Sequence, residues 1–521
     1  MTAPDDTTPR TADAEATDTG ARADARSAWA GSGAMVLTGR TDEPPLEAPD
    51  GFVDRLRAIG ELLGRRSEEL GRRVDVDVLA LLGERAALAR LRRGGDVSCG
   101  GSARLLQTAD GWLAVNLPRP DDLDLLPAWL VGTEFPSERS APVAGPGSVR
   151  REGDPERITH RKCGQSARAA AEARPGPEVW GAVAAALAMG ATEPLAERAQ
   201  LLGLPVAALP ERPLAVPVAA GPLAGLPVTA TRVADVHPSG PGWPAGVGQP
   251  EAGSVRGLEG LLVADLSSLW AGPLCTHLLQ QAGARVVKVE SVHRPDGARN
   301  GPAAFFDLLH GGQEAVAIDF RHEDGRSALR RLLAAADVVV EASRPRALEQ
   351  LGIVAETLLA EAVAAGRHWG VGPRVWVSIT GYGRGPDGRD RVAFGDDAAA
   401  AGGLVVWDDA GPCFVADAVA DPCAGLVAAA AVLSAVADGG RWLLDVSMRD
   451  VAAHLAGPSA GRPAIPNGAR PAPQPTPAEA DARRAGERER EAQPPRARAT
   501  SGRGPAFGEH TEAVLADLRV R

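Results

Sequence analysis

The spacing of apolar positions changes at about residue 257. Upstream, Phe52, Leu56, Ile59, Leu62 and Leu63 recur at helical intervals, and Val78-Leu79-Ala80-Leu81-Leu82 opens a second apolar stripe. Residues 51–93 therefore read as helical. A loop rich in Gly, Ser and Cys follows at 94–102. Leu105-Leu106 and Trp112-Leu113-Ala114-Val115, with Asp110-Gly111 between them, then predict a hairpin. Residues 136–175 are loop-like. Helices near 179–189 and 195–202 lead into a short strand at 205–209, and residues 210–256 are dense in Pro and Gly.

Beyond 257 strand and helix alternate. Leu261-Leu262-Val263-Ala264-Asp265-Leu266 reads as a buried strand. Pro273 stands where a first helical residue belongs, and Gly283 lies just past the helix end. Arg285-Val286-Val287-Lys288-Val289-Glu290 is the next strand, and the unit repeats through a helix at 325–336 and strands at 337–341 and 375–379. This pattern predicts an α/β fold, a Rossmann-like parallel sheet with helices on both faces, preceded by a smaller α+β domain. An almost wholly apolar helix at 420–436 must be deeply buried. The expected organisation is a disordered segment at 1–45, the small domain at 46–210, a linker at 211–256, the large domain at 257–455, a disordered Pro/Arg-rich linker at 456–504 and a helical tail at 505–521.

Composition narrows the function. Of 521 residues, 44% are apolar, and 56 basic against 67 acidic residues leave a net charge of −11. That field repels phosphate backbones and excludes a general nucleic-acid binder. Lys162 and Lys288 are the only lysines, and aromatic residues make up just 4%, so the core must be built from Ala, Leu and Val. The five cysteines form no CxxC pair, which argues against a disulfide framework and a structural zinc site. The start of the chain has neither a basic nor an apolar signal region. No stretch reaches the ~18 uninterrupted apolar residues of a membrane span, so a cytoplasmic protein without a membrane partner is expected.

Common catalytic signatures are missing. The first strand–helix turn, Ser267-Ser268-Leu269-Trp270-Ala271-Gly272-Pro273, lacks the three-glycine dinucleotide fingerprint, and there is no P-loop, GxSxG or HExxH. One carboxylate stands out. Asp421 lies between Ala418-Val419-Ala420 and Pro422, at the start of the buried helix. As a helix cap it would be worth about 1 kcal/mol. In the same place it could face a ligand crevice and attack an activated acyl group.

Residues 257–352 and 375–455 resemble the class III CoA-transferase family, which includes formyl-CoA and carnitine CoA-transferases and α-methylacyl-CoA racemases. The resemblance is carried by Leu258-Glu259-Gly260, Ala271-Gly272-Pro273, Gly283-Ala284, Val287-Lys288-Val289-Glu290, Asp296 and Arg299. It continues in Ala336–Glu341, Arg346-Ala347-Leu348, Leu351-Gly352, Ser378–Gly383, Ala420-Asp421, Gly425-Leu426, Asp445–Met448 and Asp450, and in the tail Gly508-Glu509-His510-Thr511. It implies an acyl-CoA:carboxylate CoA-transferase with Asp421 as nucleophile. The carboxylate attacks the thioester to give a mixed anhydride; CoA thiolate returns to leave an enzyme–CoA thioester, and the acceptor acid resolves it. Coenzyme A is then a substrate, with no permanently bound cofactor and no metal. Leu269, Trp270, Ala271 and Gly272 would wall its thioester end, and Arg299 carries over as a CoA-site residue. A homodimer is implied, its interlocking put in doubt by the domain order.

This chain departs from the family pattern. Gln313-Glu314 replaces a basic dipeptide, Ala342-Ser343 replaces Asn-Phe, and Trp270 stands where formyl-type transferases carry glutamine. Arg344 and Arg346 would restore positive charge near the nucleotide phosphates, or simply begin a solvated helix. Residues 99–120 and 201–206 resemble the start and end of the family's small domain, moved in front of the large one as in a circular permutation. Ser98-Cys99-Gly100-Gly101 falls roughly where some members carry a glycine-rich flap, and is equally well an ordinary turn; Cys99 has no histidine near it in sequence. The racemase alternative needs a histidine upstream of the aspartate, but none lies between His368 and His454, and Phe394 occupies that position. Asp396 and Asp397 are poor substitutes, because two more carboxylates do not readily form an acid–base pair at neutral pH. A non-catalytic acyl-CoA-binding relative is the other alternative.

Overall fold

The computed structural model describes residues 22–131, 133, 175–234, 257–364, 372–459 and 491–520. Helix α1 (Phe52–Glu69) buries Phe52, Leu56, Ile59 and Leu63 along one stripe, and the short α2 (Glu84–Ala89) follows. β1 (Ala103–Gln107) and β2 (Trp112–Asn116) form the hairpin around Asp110-Gly111. Three helices, α3 (Pro120–Trp129), α4 (Pro177–Leu187) and α5 (Thr192–Leu201), lead to β3 (Val206–Ala208), which pairs antiparallel with β2. They pack on one face of this sheet, around Leu113, Val115, Trp129, Trp180 and Val206.

The large sheet has seven strands. They are β4 (Thr229–Ala234), β5 (Leu262–Asp265), β6 (Arg285–Ser291), β7 (Glu314–Ile318), β8 (Val338–Glu341), β9 (Val375–Thr380) and, after a separate hairpin of β10 (Val405–Asp408) and β11 (Gly411–Phe414), β12 (Arg441–Ser447). Their order is β4-β12-β9-β8-β5-β6-β7, parallel throughout except for β4 against β12. The helices of this part longer than one and a half turns are α6 (Ala271–Gln281), α7 (Ala303–His310), α8 (Glu323–Ala335), α9 (Ala355–Ala364), α10 (Gly395–Ala401), α11 (Ala420–Asp438), α12 (Met448–Ala456) and α13 (Thr511–Val520).

Strand alternation assigns the two faces. Val263, Val286, Val338 and Val377 meet α6, α11 and α1, while Leu262, Val287, Val339 and Trp376 meet α8, α9 and α13. By length and composition α11 would pass for a membrane span, with mean hydropathy 1.7 over its window, although Asp421 and Ser434 interrupt its apolar run. It is a core helix: 89% of that window is buried.

The chain runs β5 to β6 to β7 in one direction, then returns to place β8 on the other side of β5. The strand order therefore reverses between β5 and β8. The crevice at the carboxyl ends of such neighbours is where open α/β sheets bind ligands.

Four expected boundaries move. Within 1–45, residues 22–31 are helical, and Trp29, Ala34 and Met35 are buried in the large core. Helix α1 packs with that same core rather than with the small sheet, because its stripe faces α11. β4, inside the presumed linker, closes the edge of the large sheet beside β12. From the presumed disordered 456–504, residues 491–504 run as a strap: Gln493 N–H donates to Ala30 O (2.8 Å), and Arg498 pairs with the fully buried Glu84 on α2. Residues 1–21 and 460–490 lie outside the described residues.

Candidate active site

A network of buried charges builds the turn after β5. Asp265, Lys288 and His310 are fully buried and Asp296 nearly so. The Lys288 ammonium donates to Ser267 O (3.1 Å), pairs with Asp296 at 2.8 Å, and stands 4.0 Å from Asp265. Burial alone would lower its pKa, but Asp265 and Asp296 raise it, so this lysine stays charged. Asp296 Oδ1 in turn accepts from the N–H groups of Leu269 (3.0 Å) and Ala298 (2.8 Å). Leu269 is held at φ 70°, a left-handed conformation a leucine adopts only under constraint. Gly272 is required here, since a side chain would collide with Ser267. The product is a rigid loop, Leu269 to Gly272, at the carboxyl end of β5. Leu269 is exposed, Trp270 buried edge-on against Phe305 at 5.4 Å, and the indole N–H finds no acceptor among the described residues.

The second network surrounds Asp421. Ala416 (φ 50°) and Ala418 (φ 44°) are both left-handed, and such residues cost about 1–3 kcal/mol each. Between them Asp417 is driven fully inward. Thr38 Oγ1 accepts from Ala416 N–H (3.0 Å) and Asp396 Oδ1 from Ala418 N–H (3.0 Å), so two other segments hold the kink. Asp417 receives Arg85 bidentately, Nε at 2.9 Å and Nη2 at 2.5 Å. The Arg85 guanidinium also lies 5.6 Å from the Trp270 ring.

Asp421 occupies the first turn of α11, one residue past its start, and is half-buried. Its carboxylate makes no helix-capping bond; it faces the Gly395 backbone instead. A side chain at Gly395 would strike both Asp421 Oδ2 and Ala418 O. Burial pushes the Asp421 carboxyl up to about 7, Arg85 opposes this, and Asp396 and Asp417 add to it. Asp396 is pushed up to about 6, by burial and then by Asp417. Asp397 is raised well above the usual range by burial. It caps α10 through Phe394 N–H and accepts from Asn116 of β2 at 2.8 Å, tying the small sheet to the site.

These positions revise several sequence readings. The cap reading of Asp421 does not hold, because the helix begins one residue earlier. Burial and crowding raise Asp396 to about 6 and Asp421 to about 7. Leu269, Trp270 and Gly272 share one turn, which meets the Asp421 cluster through Arg85 and Trp270. Arg299 is committed elsewhere: it pairs with Glu290 (2.6 Å), donates to Pro505 O (3.0 Å) and stacks on Phe306 at 4.3 Å. Arg344 and Arg346 are exposed and follow β8, the neighbour of β5, at the same end of the sheet. The Cys99 thiol donates to Ala416 O (3.2 Å); burial raises its pKa well above the ordinary value, which makes it a poor nucleophile. Among the described residues no group of His, Cys, Asp and Glu is arranged to hold a metal ion.

The sequence reading missed Arg85 and Asp417. The one local hint is Glu84-Arg85, two charges directly after the apolar Leu81-Leu82-Gly83. Glu84 is fixed from outside by Arg498, while Arg85 reaches inward to Asp417.

A family model, CoA-transferase family III, matches residues 258–497. An acyl-CoA transferase of Fusarium pseudograminearum is 30% identical over 223 residues, 38% of this chain and 47% of that protein. Succinyl-CoA–D-citramalate CoA-transferase of Chloroflexus aurantiacus is 29% identical over 191 residues, 35% and 45% of the two chains. The crystal structure of a CAIB/BAIF family protein from Brucella suis shares 30% identity over 38% of this chain and 55% of that one, with a TM-score of 0.34. The chain thus spans about half the length of the curated relatives it matches. The matched segment contains β5 to β9, the Leu269–Gly272 turn and Asp421, whereas Arg85 lies outside it. Over residues 258–497, a little under half of its length, this chain is similar to CoA-transferase family III.

Proposed function

We propose that this protein is an acyl-CoA:carboxylate CoA-transferase in which Asp421 is the nucleophile. The observation that carries the reading is the placement of the Asp421 carboxylate, half-buried at the start of α11 and pressed against Gly395, beside Arg85 and the turn after β5. Carboxylates in this family act on thioesters, and an aspartate raised to about 7 is more nucleophilic than a solvent-exposed one while still about half ionised at neutral pH.

In the first step an Asp421 oxygen bonds to the thioester carbon and the C–S bond breaks, giving a mixed anhydride and CoA thiolate. The thiolate then attacks the aspartyl carbonyl and expels the donor acid, leaving CoA on Asp421. An incoming carboxylate reverses the sequence. Acyl-CoA and acid are exchanged with no oxidant and no net proton change. Each tetrahedral oxyanion needs a nearby donor. The Leu269–Gly272 turn supplies a rigid backbone wall for the thioester end, and exposed Arg344 and Arg346, at the same end of the sheet, suit the CoA phosphates. Arg299 is not assigned to CoA, since its guanidinium is already engaged.

The test is exchange of labelled CoA between a panel of acyl-CoA donors and carboxylic acids. Transfer by the parent and its loss in Asp421→Asn support the reading; equal transfer by both removes it. The family resemblance also supports a homodimer, which sedimentation would check.

A second reading rests on Asp396 at about 6 beside Asp421 at about 7: two carboxyls able to give and take a proton at the α-carbon of an acyl-CoA. Uptake of solvent deuterium at that carbon without CoA transfer would favour it.

A further inference from the structure

Arg85 is the cation that the described residues place inside a cluster of three carboxylates, Asp396, Asp417 and Asp421. Its Nε and Nη2 are fixed on Asp417, itself fully buried and locked by the left-handed Ala416 and Ala418. Nη1 has no protein partner among the described residues, and the side chain keeps 29% of its surface exposed. Its face lies toward the Trp270 ring in the turn after β5, and Gly100 of the Ser98–Gly101 loop approaches Nη2 without a side chain between them. An arginine held by two edges, with its third donor open beside a reacting carboxylate, has the form of an anion receptor.

We propose that Arg85 binds the carboxylate of the acid that accepts CoA, with Nη1 as the donor and Asp417 as the residue that positions it. This deepens the transferase reading and rests on it. To discharge the enzyme–CoA thioester, a carboxylate must approach the Asp421 carbonyl carbon past Asp396 and Asp417. One oxygen of that carboxylate forms the new C–O bond as the C–S bond breaks. The other oxygen remains available to the guanidinium, which offsets the repulsion of the aspartates. The same contact would hold the donor acid as it leaves, since the two half-reactions mirror each other. Lys288 cannot serve, because it is fully buried and held by Ser267, Asp265 and Asp296.

The test loads the enzyme with CoA from an acyl-CoA and follows discharge of the thioester by a carboxylate and, separately, by neutral hydroxylamine. The variants are Arg85→Gln combined with Asp417→Asn, which removes the carboxylate that would lose both of its hydrogen bonds to Arg85, and Arg85→Lys, which keeps the charge but not the fork. Discharge by the carboxylate should fall ~10- to 100-fold in the double variant and less in Arg85→Lys, while discharge by hydroxylamine changes less than about threefold. A purely structural role would slow both nucleophiles together, and that result overturns the proposal, as does a carboxylate rate insensitive to position 85. If the double variant does not fold, the carboxylate-to-hydroxylamine ratio of Arg85→Lys decides in the same way. A parent enzyme that forms no thioester with any acyl-CoA instead removes the transferase reading, and is told apart by the missing adduct.

Discussion

Two carboxylate-rich networks lie at one end of the large sheet, and each is organised around a single cation. In one, Lys288 is fully buried and engaged by Ser267, Asp265 and Asp296, so nothing is left to offer a ligand. In the other, Arg85 is held on one side by Asp417 and left open on the other, beside a half-buried Asp421. The closed network shapes the Leu269 turn. The open one has the carboxylate proposed as nucleophile and an unused donor. What distinguishes the two is saturation rather than charge: both bury aspartates, but only one leaves a half-buried carboxylate beside a guanidinium with an open edge.

Substitutions in the two networks should separate activity from stability. Asp421→Asn should cut transfer at least ~1,000-fold, the scale seen when a covalent nucleophile is removed. Its effect on stability runs the other way. The folded protein keeps the Asp421 proton to about pH 7, whereas an unfolded aspartate releases it near 3.8, so the fold loses stability as pH rises between those values. Denaturant titrations should therefore find Asp421→Asn more stable than the parent at pH 8, by about 1–3 kcal/mol, and equal to it below pH 4. The parent's kcat/KM should rise about tenfold per pH unit up to about 7 and then level off.

In the closed network, Lys288→Met leaves buried Asp296 unpaired and should cost about 3–5 kcal/mol of stability, read as a shift in the denaturation midpoint. If it lowers turnover of the folded fraction as much as Asp421→Asn does, the division between the networks is wrong. Gly395→Ala is expected to be intermediate: crowding Asp421 and Ala418 costs about 1–3 kcal/mol, seen mainly as lost kcat because the nucleophile itself is displaced. Cys99→Ala should have the smallest effect, within about threefold in kcat/KM, since a buried, protonated thiol takes no part in the chemistry.

The sequence made the closed half of this contrast legible. Strand alternation after residue 257, Pro273, Gly283 and the Leu269–Gly272 turn are local signals, and the large sheet follows from them. Asp421 could be found because a small-residue run, a proline and an apolar helix surround it. Its partners could not. Arg85 and Asp417 are 332 residues apart, and Glu84 and Arg498 are 414 apart, distances over which no local pattern reports contact. The N-terminal helix and β4 were hidden for a different reason. Trp29 and Met35 are too sparsely spaced to form a stripe, and the alternation of Thr229–Ala234 is masked by surrounding Pro and Gly. Tertiary burial, rather than propensity, orders both segments.

The most direct test of Asp421 as a covalent nucleophile is mass spectrometry of the protein after incubation with a panel of acyl-CoAs, followed by peptide mapping. The expected result is one CoA thioester on the peptide carrying Asp421, absent from Asp421→Asn and discharged by a carboxylic acid. A CoA adduct on another residue, or turnover by Asp421→Asn at the parent rate, would contradict the account.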